Sequence, residues 1–380
     1  MKVAHLSDLH LGIHLNGYNL IEDQKYILNQ ILEKLVEEKT EVLIIAGDVY
    51  DNSVPASEPI TLFDDFLYKL KQNDIKTLII SGNHDSNERL SFGNRLLDDS
   101  GIYISPIFDG TVKKVVLSDE YGNINFYLMP FIKPITVKPF YPDSEIKTYN
   151  DAVKVVLDNI SLNKEERNIL VAHQFVTGAA TSESETFSVG GLDNISLDLF
   201  DDFDYVALGH IHKPQYMGEG KKVRYCGTPL KYSFSEYDQQ KSITFIDVKS
   251  KGEMDFTYSD LKPLHEMVRI KGSYDELKNK SYYDKLDLED YYEITLTDET
   301  DVYGAADCLS NIYKNYMTIK YDRKTANIIG NDEMTKDDIK DKKPIELLKE
   351  FYKFMNNKEL SEEQLNICND IFDSLEGSKK

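Results

Sequence analysis

Short, mainly apolar runs alternate with longer stretches whose apolar positions recur at helical spacing through the first half of the chain. Residues 2–6 form one such run and residues 42–46 (Val-Leu-Ile-Ile-Ala) another, the second apolar at every position, as in a strand covered on both faces. Between them, Ile27, Leu28, Ile31, Leu32 and Leu35 mark one face of a helix over 19–38. A second helix is predicted over 58–73, followed by a third buried strand at 77–80. This β-α-β-α-β order predicts a largely parallel sheet with right-handed crossovers. The pattern then recurs, with strands expected at 124–130, 168–172 and 203–208 and a helix at 149–160. Strands at 222–226 and 242–248 read as more antiparallel in style, and residues 1–258 are expected to form one α/β sandwich.

The register changes further on. Strands at 267–270, 291–296 and 317–323 with a helix at 305–316 suit a small α+β domain over 262–330. Residues 331–343 are mostly charged or polar and read as a linker. In 344–375, Ile345, Leu348, Phe351, Met355, Leu365, Ile367, Ile371 and Phe372 predict two amphipathic helices joined near residue 360, with Ser361-Glu362-Glu363 as a helix start.

A length of 380 residues, 41% of them apolar, supports two or three domains with a sizeable core in the largest. No apolar stretch reaches the length of a membrane span, and the N-terminus runs straight into a strand rather than a signal peptide. Cys226, Cys308 and Cys368 are odd in number and far apart, which argues against a disulfide framework or a cysteine zinc site and points to the cytoplasm. The formal charge of -22 is awkward for a nucleic-acid binder unless bound cations or a partner subunit offset it.

The candidate chemistry stands at the strand ends, where open parallel sheets hold their ligands. Asp8-Leu9-His10 follows the first strand, Gly47-Asp48 the second, and Gly82-Asn83-His84-Asp85 the third. His173 ends a later strand, and Gly209-His210-Ile211-His212 another. Each piece alone would suit a turn, a surface histidine or a core histidine. Their joint occurrence, each after an apolar run, points to two divalent ions in a mixed carboxylate, imidazole and amide shell. The simplest assignment gives one ion Asp8, His10 and His212, the other Asn83, His173 and His210, with Asp48 bridging. Such a shell favours Mn²⁺ or Fe²⁺ over Mg²⁺, and it would activate a water for in-line attack on phosphorus. His84 is left over as a candidate acid for the departing oxygen, with Asp85 either orienting its ring or capping a turn.

These motifs resemble those of the calcineurin-like metallophosphoesterases. Longer stretches, at 5–12, 47–55, 81–90, 173–178, 205–212 and 227–236, resemble more narrowly the bacterial nuclease subunits that act with an SbcC-type ATPase. The resemblance is strong to about residue 245 and one of layout beyond it. It implies a four-layer sandwich of two mixed sheets flanked by helices, a small capping domain that recognises DNA, and a C-terminal helical segment docking on the ATPase. It further implies a Mn²⁺-dependent enzyme for DNA repair, recombination and replication, a 3'-5' exonuclease on duplex DNA and an endonuclease on single strands and hairpins. A homodimer within a heterotetramer, with no membrane, is the implied assembly. Asp51, a further catalytic candidate, stands where archaeal and eukaryotic relatives carry a histidine; a carboxylate there could orient a ligand but could protonate a leaving group only with a raised pKa, and its role is left open. Arg89, Lys133, Lys213, Lys231 and the run 221–224 are candidate phosphate contacts. A phosphoesterase on small substrates and a non-catalytic scaffold are the alternative functions.

Overall fold

The computed structural model describes residues 1–185, 193–322, 344–356 and 358–377. Two six-stranded sheets lie face to face. In the first, Lys2–Leu6, Val42–Ala46, Lys76–Ile80 and Ile102–Ile104 run parallel, and Ser242–Val248 and Met254–Asp260 continue the sheet antiparallel beyond Lys2–Leu6. In the second, Gly122–Leu128, Arg167–His173, Tyr205–Gly209 and Val223–Tyr225 run parallel, flanked by the antiparallel strands Lys113–Asp119 and Gln215–Met217. Both sheets are therefore mixed.

Alternation along each strand builds the layers. Val42, Ile44 and Ala46 face inward and join Phe126, Leu128, Ile169, Val171, Ala207 and Ile246 in the core between the sheets. Leu43 and Ile45 face the other way, onto helices Ile21–Glu37 and Ser57–Gln72 through Ile27, Leu28, Ile31, Phe63 and Phe66. Leu170 and Ala172 turn outward onto helix Tyr149–Asp158 through Ala152, Val153 and Val156. The order helix, sheet, sheet, helix gives four layers, as expected.

A third sheet of three parallel strands, Met267–Gly272, Tyr291–Leu296 and Tyr316–Tyr321, has its own core around Leu277, Tyr292, Leu309 and Tyr313. It joins the sandwich at helix Ile21–Glu37. There the buried Asp23 carboxylate accepts hydrogen bonds from the Tyr291 hydroxyl (2.8 Å) and His265 Nδ1 (3.0 Å). The helix expected at 305–316 is only Ala305–Ser310. Val223–Tyr225, read as antiparallel in style, is antiparallel to one neighbour and parallel to the other. The tail contains helices Pro344–Asn356 and Glu362–Gly377, and the second starts from a reciprocal Ser361–Gln364 cap. The linker expected at 331–343 lies outside the described residues. Among the described residues no helix is long and apolar enough to cross a membrane.

Candidate metal centre

The parallel strands of both sheets end at one edge of the sandwich. Register ties these ends together: Ala46 pairs with Ile80, and Gly209 pairs with His173. The loops beyond them are locked to one another, with Asp8 N–H donating to the Gly47 carbonyl and His10 N–H to the Asp48 carbonyl, each at 3.0 Å. Asp8, His10, Asp48 and His210 all have positive φ (53°, 43°, 48° and 97°), a conformation that non-glycine residues adopt rarely and that concentrates at functional sites. Close packing accounts for two glycines. A Cβ on Gly82 would collide with the Asp48 carboxylate, and one on Gly209 with the Ala46 carbonyl.

Seven side chains meet there. Asp48 Oδ2 is 3.2 Å from His173 Nε2 and 3.7 Å from His10 Nε2, while its Oδ1 accepts the His84 N–H at 2.9 Å. Asn83 Oδ1 faces His173 Nε2 (3.0 Å) and His210 Nδ1 (2.8 Å). Donor atoms of Asp8, His10 and His212 lie within 4.8 Å of one another, and so do those of Asp8, Asp48 and His173, and of His10, Asp48 and His84. Apart from Asn83 and His84, all of these residues are buried.

The donor chemistry calls for cations. Both ring nitrogens of His10 are sealed from water and lack a hydrogen-bond partner, a costly arrangement for polar atoms. His173 Nδ1 donates to the Ala46 carbonyl at 2.8 Å, because a carbonyl can only accept. Its Nε2 therefore points at two oxygens, of Asp48 and Asn83, neither of which can donate. Only a proton or a metal ion reconciles these three atoms. Burial alone would depress His173, but the Asp48 charge and hydrogen bond outweigh it and push it up to about 9. His210, by contrast, is held down to about 3 by burial and by the neighbouring His173. One imidazole thus seeks a positive charge while its neighbour stays a neutral donor, as a divalent ion requires.

His84 stands beside the cluster, its ring 4.8 Å from that of His10. Its Nδ1 donates to the Asp51 carbonyl at 2.8 Å, which leaves Nε2 for exchange with a substrate. Asp51 also brings Oδ1 to 3.5 Å from His10 Nδ1.

Of the two readings of Asp85, the geometry supports the turn cap: its carboxylate accepts the backbone N–H groups of Val49, Tyr50 and Gly82 at 2.9–3.1 Å and so ties two strand-end loops together. Two expected phosphate contacts are corrected. Lys231 is engaged by Glu266 and the Tyr237 carbonyl, both at 2.7 Å. Arg224 is buried between the rings of Tyr216 and Tyr258. Arg89, Lys133, Lys213, Lys221 and Lys222 are exposed, and Lys133 lies over Phe131, whose ring stacks on His210.

Residues that sequence reasoning missed support the cluster from behind. Tyr232 donates to the Leu9 carbonyl at 2.5 Å, and Gln24 to the His10 carbonyl at 2.7 Å. Ser184 and Glu236 stand behind His212, and Lys241 behind Glu236. Glu236 lay inside the stretch 227–236 that carried the family resemblance, but its role shows only in three dimensions. The cluster opens into a cleft of about 380 Å³ lined by His10, Asp51, His84 and His212, with Glu293, Thr318 and Lys320 of the third sheet as its far wall.

With this geometry in place, the calcineurin-like phosphoesterase family matches residues 1–214, more than half of the chain, and the chain belongs to that family of metal-dependent phosphoesterases. Residues 263–356 match a second family, described as the type 5 capsule protein repressor C-terminal domain. Within this class, the chain is 31% identical over 377 residues to the SbcD subunit of the SbcCD nuclease of Staphylococcus epidermidis, covering 96% of each protein. The similarity therefore continues past residue 245, where the motifs alone show only a likeness of layout. Among solved structures the chain is similar to a dimetal phosphatase from Danio rerio (11% identity, 70% of this chain and 98% of that one, TM-score 0.42). It is also similar to the protein TT1561 of Thermus thermophilus (10% identity, 69% and 99%, TM-score 0.37).

Proposed function

We propose that this chain is the nuclease subunit of an SbcC-type assembly and hydrolyses DNA phosphodiesters at a two-metal centre, with Mn²⁺ as its working ion. The observation that carries the reading is the convergence of Asp8, His10, Asp48, Asn83, His173, His210 and His212, with buried imidazole nitrogens that no protein group satisfies. Asp8, His10 and His212 would hold one ion, Asn83, His173 and His210 the other, and Asp48 both. Bound divalent ions supply Lewis-acid activation of water and of phosphoryl oxygens.

The protein's own groups do the rest. The burial of the donors holds them in place without reorganisation. His84, with its Nδ1–H fixed on the Asp51 carbonyl, would act as the acid in its doubly protonated form, passing the second proton from Nε2 to the departing oxygen and returning to the neutral ring. The Asp51 carboxylate, 3.5 Å from His10 Nδ1 and not hydrogen-bonded to it, would orient that ring through its charge once the ion is bound. Residues 1–258 would form the nuclease body and residues 262–330 the cap that walls the cleft. Arg89, Lys133 and Lys213 remain as phosphate contacts. The tail at 344–375 would dock on the ATPase, in a heterotetramer built on a homodimer, in the cytoplasm.

The test is cleavage of a labelled hairpin duplex with Mn²⁺, with and without the ATPase subunit. His84→Gln is expected to keep its metal and to lose on the order of 10²–10⁴-fold in rate. A chain that cuts a simple nitrophenyl phosphodiester but never DNA, even with its partner, would overturn the nuclease reading.

A further inference from the structure

His212 is held differently from the other histidines of the centre. The Nδ1 atoms of His173 and His84 donate to neutral backbone carbonyls. His212 Nδ1 instead lies 2.7 Å from Ser184 Oγ, and Ser184 Oγ donates to Glu236 Oε1 at 2.6 Å. A serine hydroxyl has one proton, and the charged Glu236 carboxylate, which can only accept, takes it in preference to Ser182 Oγ at 2.7 Å. Nδ1 must therefore carry the imidazole proton, and the Nε2 lone pair is left for the side of Asp8 and His10.

The relay is anchored by a buried ion pair. Glu236 is fully buried and Lys241 is 4% exposed, with Lys241 Nζ 2.6 Å from Glu236 Oε2. The same ammonium donates to the His212 carbonyl at 2.9 Å, while the His212 N–H donates to Glu185 at 2.8 Å. Ring, amide and carbonyl of one residue are all tied to charged side chains. Burying an ion pair is rarely worthwhile for stability alone, because desolvation offsets the attraction. A carboxylate linked to the distal nitrogen of a ligating imidazole, however, fixes the tautomer and strengthens the donor.

Resting on the metal-centre reading above, we infer that Glu236, acting through Ser184 and held by Lys241, is a positioning residue that sets the donor strength and orientation of His212. It thereby governs the affinity of the ion shared by Asp8, His10 and His212, and not that of the ion at Asn83, His173 and His210.

Calorimetric titration of the metal-free full chain with Mn²⁺ tests this, with thermal melting of each metal-free protein alongside. Ser184→Ala breaks the relay but keeps the Glu236–Lys241 pair, so the metal-free protein is expected to stay folded and to melt somewhat below wild type, for the donor that buried Glu236 loses. One of its two ions should bind about 10–100-fold more weakly, with the other unchanged. Glu236→Gln should weaken the same ion, and Ser184→Thr, which keeps a hydroxyl, should restore it. If wild type takes up two ions and Ser184→Ala is indistinguishable from it, this inference is overturned while the metal centre stands. If both ions weaken together, the selectivity is wrong and the inference also falls. A wild-type chain that takes up no Mn²⁺ overturns the metal-centre reading and this inference with it.

Discussion

A single methyl group at Gly82 would occupy the space of the Asp48 carboxylate, the side chain assigned to both ions. Gly82→Ala must displace either the strand end or the carboxylate, so it is expected to cost about 1–3 kcal/mol and to abolish high-affinity metal uptake. Calorimetric titration and denaturant unfolding of the metal-free protein check the two effects separately. At this scale the donors were legible in the sequence, because each follows an apolar run that fixes where a strand ends. Their supports were not. Asp85 is engaged by three backbone amides in two loops, and Ser184, Glu236 and Lys241 come together from positions up to 57 residues apart in the sequence. No local pattern distinguishes such polar residues from solvated ones.

Strands showed the same division. The central ones are mainly apolar and match the expected ranges to within a residue or two. Ile102–Ile104, Lys113–Asp119, Gln215–Met217 and Met254–Asp260 were not anticipated; all four are at or next to a sheet edge, and Lys113–Asp119 and Met254–Asp260 leave alternate residues in water. One of these outer strands ends in a charged clamp. Both Arg167 Nη atoms and the Met1 amino group reach Asp119, whose side chain is 5% exposed. Burial opposes its ionisation, but these bonds outweigh it and hold the carboxyl well below the usual range. A depressed folded-state pKa contributes stability that is present above the unfolded value, about 3.9, and is lost as pH falls through the folded one. Wild type should therefore lose stability as the pH drops below about 4. Asp119→Asn should be less stable at neutral pH and show a shallower acid slope by urea unfolding, since the slope from this group is gone.

For the whole molecule, the joint between sandwich and third sheet includes Asp23, which His265 and Tyr291 both address, beside the packing of Met267, Tyr291 and Met317 into the sandwich core. Asp23→Ala should speed amide hydrogen exchange in Met267–Gly272 and Tyr291–Leu296 while leaving Arg167–His173 protected, because only the joint loses its acceptor. The tail makes a separate prediction. Phe351, Ile367 and Ile371 are each more than half exposed on its two helices. Removal of residues 344–377 should abolish co-purification with the ATPase subunit and leave Mn²⁺ uptake intact; persistence of the complex would place the docking surface elsewhere.

The antiparallel partner of Lys2–Leu6 is Ser242–Val248, nearly 250 residues later in the chain. During synthesis the first strand, with Asp8 and His10 at its end, leaves the ribosome long before the neighbour that completes its sheet. His210 and His212 also come late. The centre therefore closes only after roughly two-thirds of the chain exists, and until then its earliest donors are open to any free cation in the cell. On the metal-centre reading proposed above, the order in which the chain emerges, as well as affinity, decides which ion the site takes up.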